Sequence, residues 1–402
     1  MKDRLLKEIE QGTKAALQKK KIIARHIYKG SATIPDLCRE MNLSIPTINK
    51  FITEMKEDGY IKECGKLETG SGRQPILYGL NPDSSFFIGV AIRHNSVSIG
   101  LTNFNGEIID NKMNIPYSYV NTPEALTELC NIIKKFINHL EIDKNKIASI
   151  NINLSGRINP VTGYSYSRFN FSEAPLADTL TEMLGYKTSI DNDTRAMAYA
   201  EYLKGVVNGE KNIIFVNAGW GVGIGIIING KIYSGKSGFS GEFGHNCVFD
   251  NEIMCHCGKK GCLETEASGE AMKRIIIERV TKGESSILSD TIKKKDKDIS
   301  IDDIIDAIGK EDPLCIEVIE EVGEKLGKQI AGIINIFNPE MVIIGGSLSE
   351  TEEYLTLPIK TAVRKYSLNL VNKDTKIVNS KLKDKAGIIG SCLLARSNMF
   401  EL

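Results

Sequence analysis

The 402-residue chain lacks the features that would place it in a membrane or outside the cell. No stretch approaches the ~20 consecutive apolar residues needed to cross a bilayer, so no spanning helix and no membrane partner are expected. The N-terminus, MKDRLLKEIEQGTKAALQKKK, is charged throughout and has no apolar core segment, so no secretory signal is expected there. Cysteine does not form a framework either. There are nine, an odd number, and Cys38, Cys64, Cys130, Cys247, Cys315 and Cys392 are scattered, which fits a reducing cytoplasm. Net charge is absent as well, with 51 Lys and Arg against 51 Asp and Glu. That zero hides an asymmetry, because residues 1–80 carry 15 basic against 10 acidic groups and the remainder 36 against 41. A basic head on an acidic body suits a head that meets an anion such as nucleic acid. What is present, 42% hydrophobic and 25% charged residues, is ordinary for a globular protein, and the length suits two or three domains.

The first eighty residues read as a winged helix-turn-helix. Apolar residues Ala16, Leu17, Ile22, Ile23 and Ile27 predict a helix over 14–28 that Gly30 stops, and a short helix over 32–41 enters at Pro35. After the turn Asn42-Leu43-Ser44, a third helix over 45–58 places Ile45, Ile48, Ile52 and Met55 on one face, to be packed on the first two. The opposite face shows Thr47, Asn49, Lys50 and Thr53, and short polar groups with a lysine near a helix start are what base edges and phosphates require. Ser44, Thr47, Asn49 and Lys50 are therefore the candidate DNA-reading residues. Two short strands, 60–62 and 76–78, flank the wing KLETGSGRQP, which adds Lys66 and Arg73; the latter suits a narrow, negative minor groove.

Beyond Asn81-Pro82-Asp83 two strand-rich lobes with a cleft between them are expected. Strands over 86–91, 97–102, 106–115 and 147–154, with helices over 123–140 and 175–185, make the first. Thr188-Ser189-Ile190 then delivers Asp191, Asn192 and Asp193 to a strand end, the usual ligand position in an open α/β sheet. Asp193 is either a helix N-cap or a carboxylate that faces a ligand. The second lobe follows the same plan, with strands over 213–217, 222–228, 231–233 and 341–344, helices over 268–281, 301–308 and 313–337, and a closing helix from 386; Lys293 to Asp298 reads as a solvated loop. The expected domains are 1–80, 81–190 completed by about 386–402, and 191–385.

The segment from Ser240 to Glu266, SGEFGHNCVFDNEIMCHCGKKGCLETE, has no apolar periodicity and is punctuated by glycine. Cys255, Cys257 and Cys262 clustered in polar sequence have little packing reason to be there, and with one imidazole they make a tetrahedral zinc set. The fourth ligand is His245 or His256. Four protein ligands leave no open position for water, so the zinc is expected to be structural, holding Glu242, His245 and Glu264 toward a ligand.

GEFGH (241–245), CHCGKKGCLE (255–264), IDND (190–193), NPEMVIIGG (338–346) and GSGRQP (70–75) stand in the order of the signatures of the ROK family of repressors, open reading frames and sugar kinases. The chain resembles its winged-helix repressors of the NagC, Mlc and XylR type. The resemblance implies an actin-like, two-lobed sugar-kinase fold of the Hsp70 type with a structural zinc. Sugar hydroxyls would be held by Gly156, Arg157, Asn170, Asn192, Asp193, Glu242, His245 and Glu264. In the family's kinases the residue matching Asp193 is the general base. Their opening phosphate loop, Asp-x-Gly-Gly-Thr, is here Ala91, Ile92, Arg93, His94 and Asn95, and their second, Gly-Thr-Gly, is Gly219-Trp220-Gly221. Both changes strike the nucleotide site, so no catalytic residue is expected. The resemblance implies a homodimer or homotetramer that binds operator DNA and is released by a monosaccharide or sugar phosphate; the alternative is an ATP-dependent sugar kinase with a DNA-binding head.

Overall fold

Helix starts in the head are set by hydroxyl caps. Thr13 accepts from Ala16 N–H (3.1 Å), Thr33 and Asp36 form a reciprocal capping box, and Ser44 accepts from Thr47 N–H (3.4 Å). In the computed structural model, which describes residues 4–67, 74–294 and 299–400, these caps open α2 (Lys14–Lys29), α3 (Ile34–Met41) and α4 (Ile45–Glu57), preceded by α1 (Arg4–Glu10). Asn42 supplies the left-handed residue (φ 54°) that breaks the chain between α3 and α4. Strands β1 (Ala32–Thr33), β2 (Ile61–Lys66) and β3 (Ile76–Leu80) form a three-stranded sheet in the order β1-β3-β2, so the wing has one strand more than its sequence predicts.

Ile48, Ile52 and Met55 are buried on α4, as their spacing predicts, but Ile45 is 56% exposed. It occupies the helix's first position and overhangs the core, and Phe51 takes the place on the buried face. Lys19, in the basic N-terminal stretch, is fully buried; its Nζ lies 2.7 Å from Glu8 and 2.7 Å from Glu54, tying α1, α2 and α4 together.

The chain continues through β4 (Phe86–Ile92), β5 (Ser96–Thr102), β6 (Ile108–Pro116), α5 (Pro123–His139), β7 (Ile147–Leu154), the hairpin β8 (Ile158–Asn159) and β9 (Tyr164–Ser165), α6 (Leu176–Leu184), β10 (Thr188–Asn192) and α7 (Asp193–Lys204). It goes on through β11 (Ile213–Ala218), β12 (Val222–Ile228), β13 (Lys231–Ile232), α8 (Gly269–Thr281), α9 (Ser289–Lys294), α10 (Ile301–Gly309), α11 (Pro313–Phe337), β14 (Met341–Gly345), α12 (Glu353–Tyr366), α13 (Asn369–Asp374), β15 (Lys376–Asn379) and α14 (Ala386–Phe400). Lys293 and Lys294 end α9 rather than opening a loop, and 295–298 lie outside the described residues. Two five-stranded sheets result, in the orders β10-β7-β4-β5-β6 and β13-β12-β11-β14-β15. Each pairs antiparallel strands with parallel ones, β4 with β7 and β11 with β14.

The chain divides into two compact units. One comprises residues 1–153, 169–190 and 391–402, the other 154–168 and 191–390. In the first unit the head shares a core with the sheet. Tyr60 at the end of the head stands 5.6 Å from the ring of Phe104 in the β5–β6 turn and 5.8 Å, edge-on, from Phe400 of α14. Phe104 lies 5.4 Å from Phe400 and stacks at 6.2 Å on Phe87 of β4. Asn81 clasps the junction, with its N–H on Tyr60 O (2.8 Å) and its side-chain amide on Gly59 O (2.8 Å). In the second unit α12 packs on α11 where Gly323 and Gly327 let the two backbones approach, and Leu326, Ile330 and Ile334 continue the buried seam.

Candidate metal and ligand site

Two short backbone contacts shape the cysteine loop. Cys255 N–H donates to Lys259 O (2.8 Å) and Gly258 N–H returns to Cys255 O (2.9 Å), while Cys247 and Cys262 pair as an isolated antiparallel bridge. Gly258 sits at φ 86°, a conformation that a side chain would strain. The result brings Nδ1 of His245 and the sulfurs of Cys255, Cys257 and Cys262 within 4.8 Å of one another. Cys255 Sγ is 3.5 Å from His245 Nδ1 and Cys257 Sγ 3.6 Å from Cys262 Sγ. A tetrahedral cation with zinc's bond lengths, ~2.3 Å to sulfur and ~2.0–2.1 Å to nitrogen, needs edges of about 3.8 Å between sulfurs and about 3.6 Å from sulfur to nitrogen. The four residues thus fit a metal ion. His256, with its side chain 68% exposed and Nδ1 3.9 Å from Cys255 Sγ, does not complete this set.

His245 turns its other nitrogen away from the sulfurs, with Nε2 3.7 Å from Glu242 Oε2. Glu264 follows two residues after Cys262 and is buried; its Oε2 accepts from Val222 N–H at 2.8 Å. Gly221 and Gly244 press on this carboxylate from either side, where a Cβ would meet Glu264 itself. Its Oε1 is buried without a hydrogen bond, although His256 Nδ1 lies 3.2 Å away. A buried carboxylate oxygen held so is an acceptor waiting for a donor.

The strand end at Asp191 is organised by Arg195, which sequence reasoning missed because no motif marks it. Arg195 is buried on α7 and donates through Nε to Asp191 Oδ1 (2.7 Å), through one terminal nitrogen to Ile158 O (3.2 Å), and through the other to Gly238 O. One guanidinium therefore fixes the strand end, the β8–β9 hairpin and the loop before the metal segment. The N-cap of α7 is Asn192, not Asp193: its Oδ1 accepts from Arg195 N–H (3.1 Å), and its amide donates to Gly156 O (3.1 Å). Asp193 is freed from capping, though its Oδ1 accepts from Thr194 N–H at 2.7 Å. Burial pushes its carboxyl up to about 6, opposed by the Thr194 hydrogen bonds and the charge of Arg168, while Glu242 adds to the rise. Gly156, Asn192, Asp193, Glu242, His245 and Glu264 thus form one connected polar track within the second unit. Arg157 follows Gly156 in the chain, and its N–H (3.0 Å) and Nε (3.3 Å) both donate to Ser167 Oγ. Asn170 belongs to the first unit, where its side-chain oxygen and its N–H both bond to Asn121 (2.7 and 3.2 Å).

The positions that match the kinases' phosphate loops are built differently here. Residues 93–95 form a tight β4–β5 turn closed by Arg93 N–H on Ser96 O (2.8 Å), without glycine. At the second loop, Gly219 O and Trp220 O accept from the amides of Gly269 (2.8 Å) and Glu270 (3.1 Å), so the first amides of α8 are spent on the turn rather than open to an anion. Lys273 lies over the Trp220 ring at 5.7 Å.

On the head, Asn49 and Lys50 are exposed on α4, Thr47 is half-buried, and Ser44 is exposed while capping the helix and bonding to the Thr47 hydroxyl (2.8 Å). A hollow of about 510 Å³ beside them brings Lys14 and Gln18 of α2 next to Thr47 and Lys50. Lys14 is a basic group on this face that a helical pattern alone did not single out. Lys66 is exposed at the end of β2; Arg73 lies outside the described residues. No helix among the described residues is long and apolar enough to cross a membrane.

Comparisons with known proteins bear on all of this. Residues 18–62 match the winged helix-turn-helix DNA-binding model and residues 94–398 the ROK family model. The chain is 30% identical to the xylose repressor of Caldicellulosiruptor bescii over 89% of its own length and 90% of the relative's. It is 31% identical to a glucokinase of Halalkalibacterium halodurans, over 77% of this chain and 95% of that one. Among solved structures, a ROK family transcriptional regulator homologous to the E. coli Mlc protein superposes with a TM-score of 0.80 at 29% identity, covering 96% of this chain and 97% of that one. Head, two sheets and cysteine loop all lie within these matches, and the chain belongs to the ROK family.

Proposed function

We propose that the protein is a sugar-responsive, DNA-binding transcriptional regulator, acting as a repressor of genes of carbohydrate use. The observation that carries this reading is the near full-length match to proteins named as repressors and regulators, whereas the glucokinase match covers 77% of the chain. Operator DNA would be read by Thr47, Asn49 and Lys50, positioned by Ser44 and flanked by Lys66 and Arg73 of the wing. A homodimer or homotetramer would set two heads on successive half-sites. The effector, a monosaccharide or sugar phosphate, would bind at Gly156, Arg157, Asn192, Asp193, Glu242, His245 and Glu264. It releases DNA only by favouring one of two conformations, and losing one of two heads removes most of the avidity.

Zinc is the metal that the three thiolates and one imidazole favour, held by His245, Cys255, Cys257 and Cys262. When bound it supplies no chemistry to a substrate; it fixes the loop. His245 would hold the metal through Nδ1 and leave Nε2 to the ligand, so this residue would link the loop to the effector site.

Fluorescence anisotropy with operator DNA at fixed salt tests the reading. Added effector is expected to weaken binding, and indifference to every sugar would refute it. The second reading, a sugar kinase with a DNA-binding head, draws on the glucokinase match and on the retained Asp193. A coupled assay over hexoses decides it: turnover of about 1 s⁻¹ or more, the usual range of kinases, would establish an enzyme, and none is expected.

A further inference from the structure

We propose that Cys247 is a modification site for thiol–disulfide exchange, at which a low-molecular-weight disulfide joins Cys247 to Cys262 across the strands of the loop and so withdraws one sulfur from the metal set. The cross-link stands on the ladder geometry alone; its effect on the metal rests on the zinc reading above.

Cys247 lies outside the four-residue set and is exposed, whereas Cys262 is fully buried within it. The backbone nevertheless sets the two opposite each other. Leu263 N–H donates to Asn246 O (2.9 Å) and Val248 N–H to Gly261 O (2.8 Å), so hydrogen bonds flank the Cys247–Cys262 bridge on both sides, the pattern of a non-hydrogen-bonded antiparallel pair. In such a pair the Cα atoms stand about 4.5 Å apart and the side chains leave the same face of the ribbon, within the span of about 4.4–6.8 Å that a disulfide bridges. The register is held locally. Phe249 N–H also donates to Gly261 O (3.1 Å), and Gly261 takes φ 72° where a Cβ would strike Phe249 O. Rotation about side-chain bonds, with no shift of either strand, is what the cross-link requires.

Access decides the order of events. Cys255 and Cys262 are buried and Cys257 is half-buried, so a disulfide arriving from solvent meets Cys247 first. The Cys247 sulfur attacks one sulfur of the small disulfide; that S–S bond breaks, a mixed disulfide forms, and the first small thiol leaves with the Cys247 proton. The Cys262 sulfur then attacks the Cys247 sulfur, and the second small thiol leaves as a thiolate that solvent protonates. The external disulfide gains two electrons and the two protein sulfurs lose two. Of the metal set, His245, Cys255 and Cys257 remain, one short of the four that a closed structural site needs. Cys257, whose Sγ lies 3.6 Å from Cys262 Sγ, is the competing partner that a test must separate.

Full-length protein equilibrated with reduced and oxidised glutathione at set ratios provides that test. Alkylated digests are mapped by mass spectrometry without reduction, while a chromogenic chelator reads zinc in solution. A linked Cys247–Cys262 peptide pair is expected, with zinc released in step with it, and excess dithiothreitol with added zinc should reverse both. Cys247→Ser should carry zinc as wild type does, lose the linked pair, and keep its metal at glutathione ratios that empty the wild type. Cys64→Ser, which removes another exposed thiol, should release zinc like wild type. A Cys257–Cys262 link in place of the expected one, a Cys247 that stops at the mixed disulfide, or a Cys247→Ser variant that loses zinc as readily as wild type would overturn the proposal. Protein that is metal-free from the start would refute the zinc reading alone, and the linked pair is still expected from its digest.

Discussion

Removing the Phe104 ring is the most direct test of how the DNA-binding head is attached. The ring is fully buried and stands 5.6 Å from Tyr60 of the head, 5.4 Å from Phe400 and 6.2 Å from Phe87. Burying a phenylalanine contributes about 1.5–3 kcal/mol by area, and each aromatic pair adds about 0.5–1.5 kcal/mol. The cavity left among three rings cannot collapse without moving the head, so Phe104→Ala should cost about 3–5 kcal/mol, the range of such truncations. Urea denaturation followed by circular dichroism measures it, with Ile336→Ala, at a site 77% exposed, as a control expected within about 0.5 kcal/mol of wild type. Effector affinity should hardly change, because Asp193, Glu242 and Glu264 belong to the other compact unit, while operator affinity should fall. A loss below about 1 kcal/mol, too small for a buried ring, would show that head and sheet do not share a core.

Three further outcomes follow from the second unit. Purified protein should carry one zinc per chain by plasma mass spectrometry, and Cys262→Ser should lose both the metal and several degrees of melting temperature; metal-free protein that melts normally would refute the site. Arg195→Leu should cost about 3–5 kcal/mol by leaving Asp191 buried and uncompensated, and adding Asp191→Leu should recover much of it, so strict additivity in this cycle would sink the pairing. The Asp193 carboxyl is raised to about 6, so the native state holds a proton that the unfolded chain releases near pH 4, the ordinary aspartate value. Its contribution to stability is complete below about pH 4, the unfolded value, and is lost as pH rises through about 6. Asp193→Asn should remove that slope, and an unchanged pH profile between those limits would show that the carboxyl is not raised.

Sequence carried the architecture where local rules act alone. Glycine stops and apolar periodicity placed α2, α4, β7, β12 and α11 almost to the residue, and clustered thiols announced the candidate metal loop. It failed where packing overrides pattern. α12 was missed because Pro358 interrupts it; the helix survives since the bond lost to Tyr354 falls on a partly exposed turn while Leu355 and Ile359 are buried. Lys19, one cation in a charged stretch, is buried against two glutamates that nothing in the pattern pairs with it, and Ile45 read as core but overhangs a helix end. Within the site, the sulfurs were legible from spacing, which left His245 and His256 both open as the fourth ligand. Arg195 was not legible, because its partners Gly238 and Ile158 contribute backbone carbonyls, which leave no trace in a sequence.

The ring cluster at the base of the head also bears on how the protein is made. Tyr60 leaves the ribosome about 340 residues before Phe400, an interval of roughly 20–70 s at ordinary elongation rates. For most of that time the aromatic socket lacks the wall that Phe400 supplies. The DNA reader is synthesised before the sensor that follows it and is finished only with the closing helix, so a nascent chain cannot occupy an operator with a completed head before its sensor has also emerged.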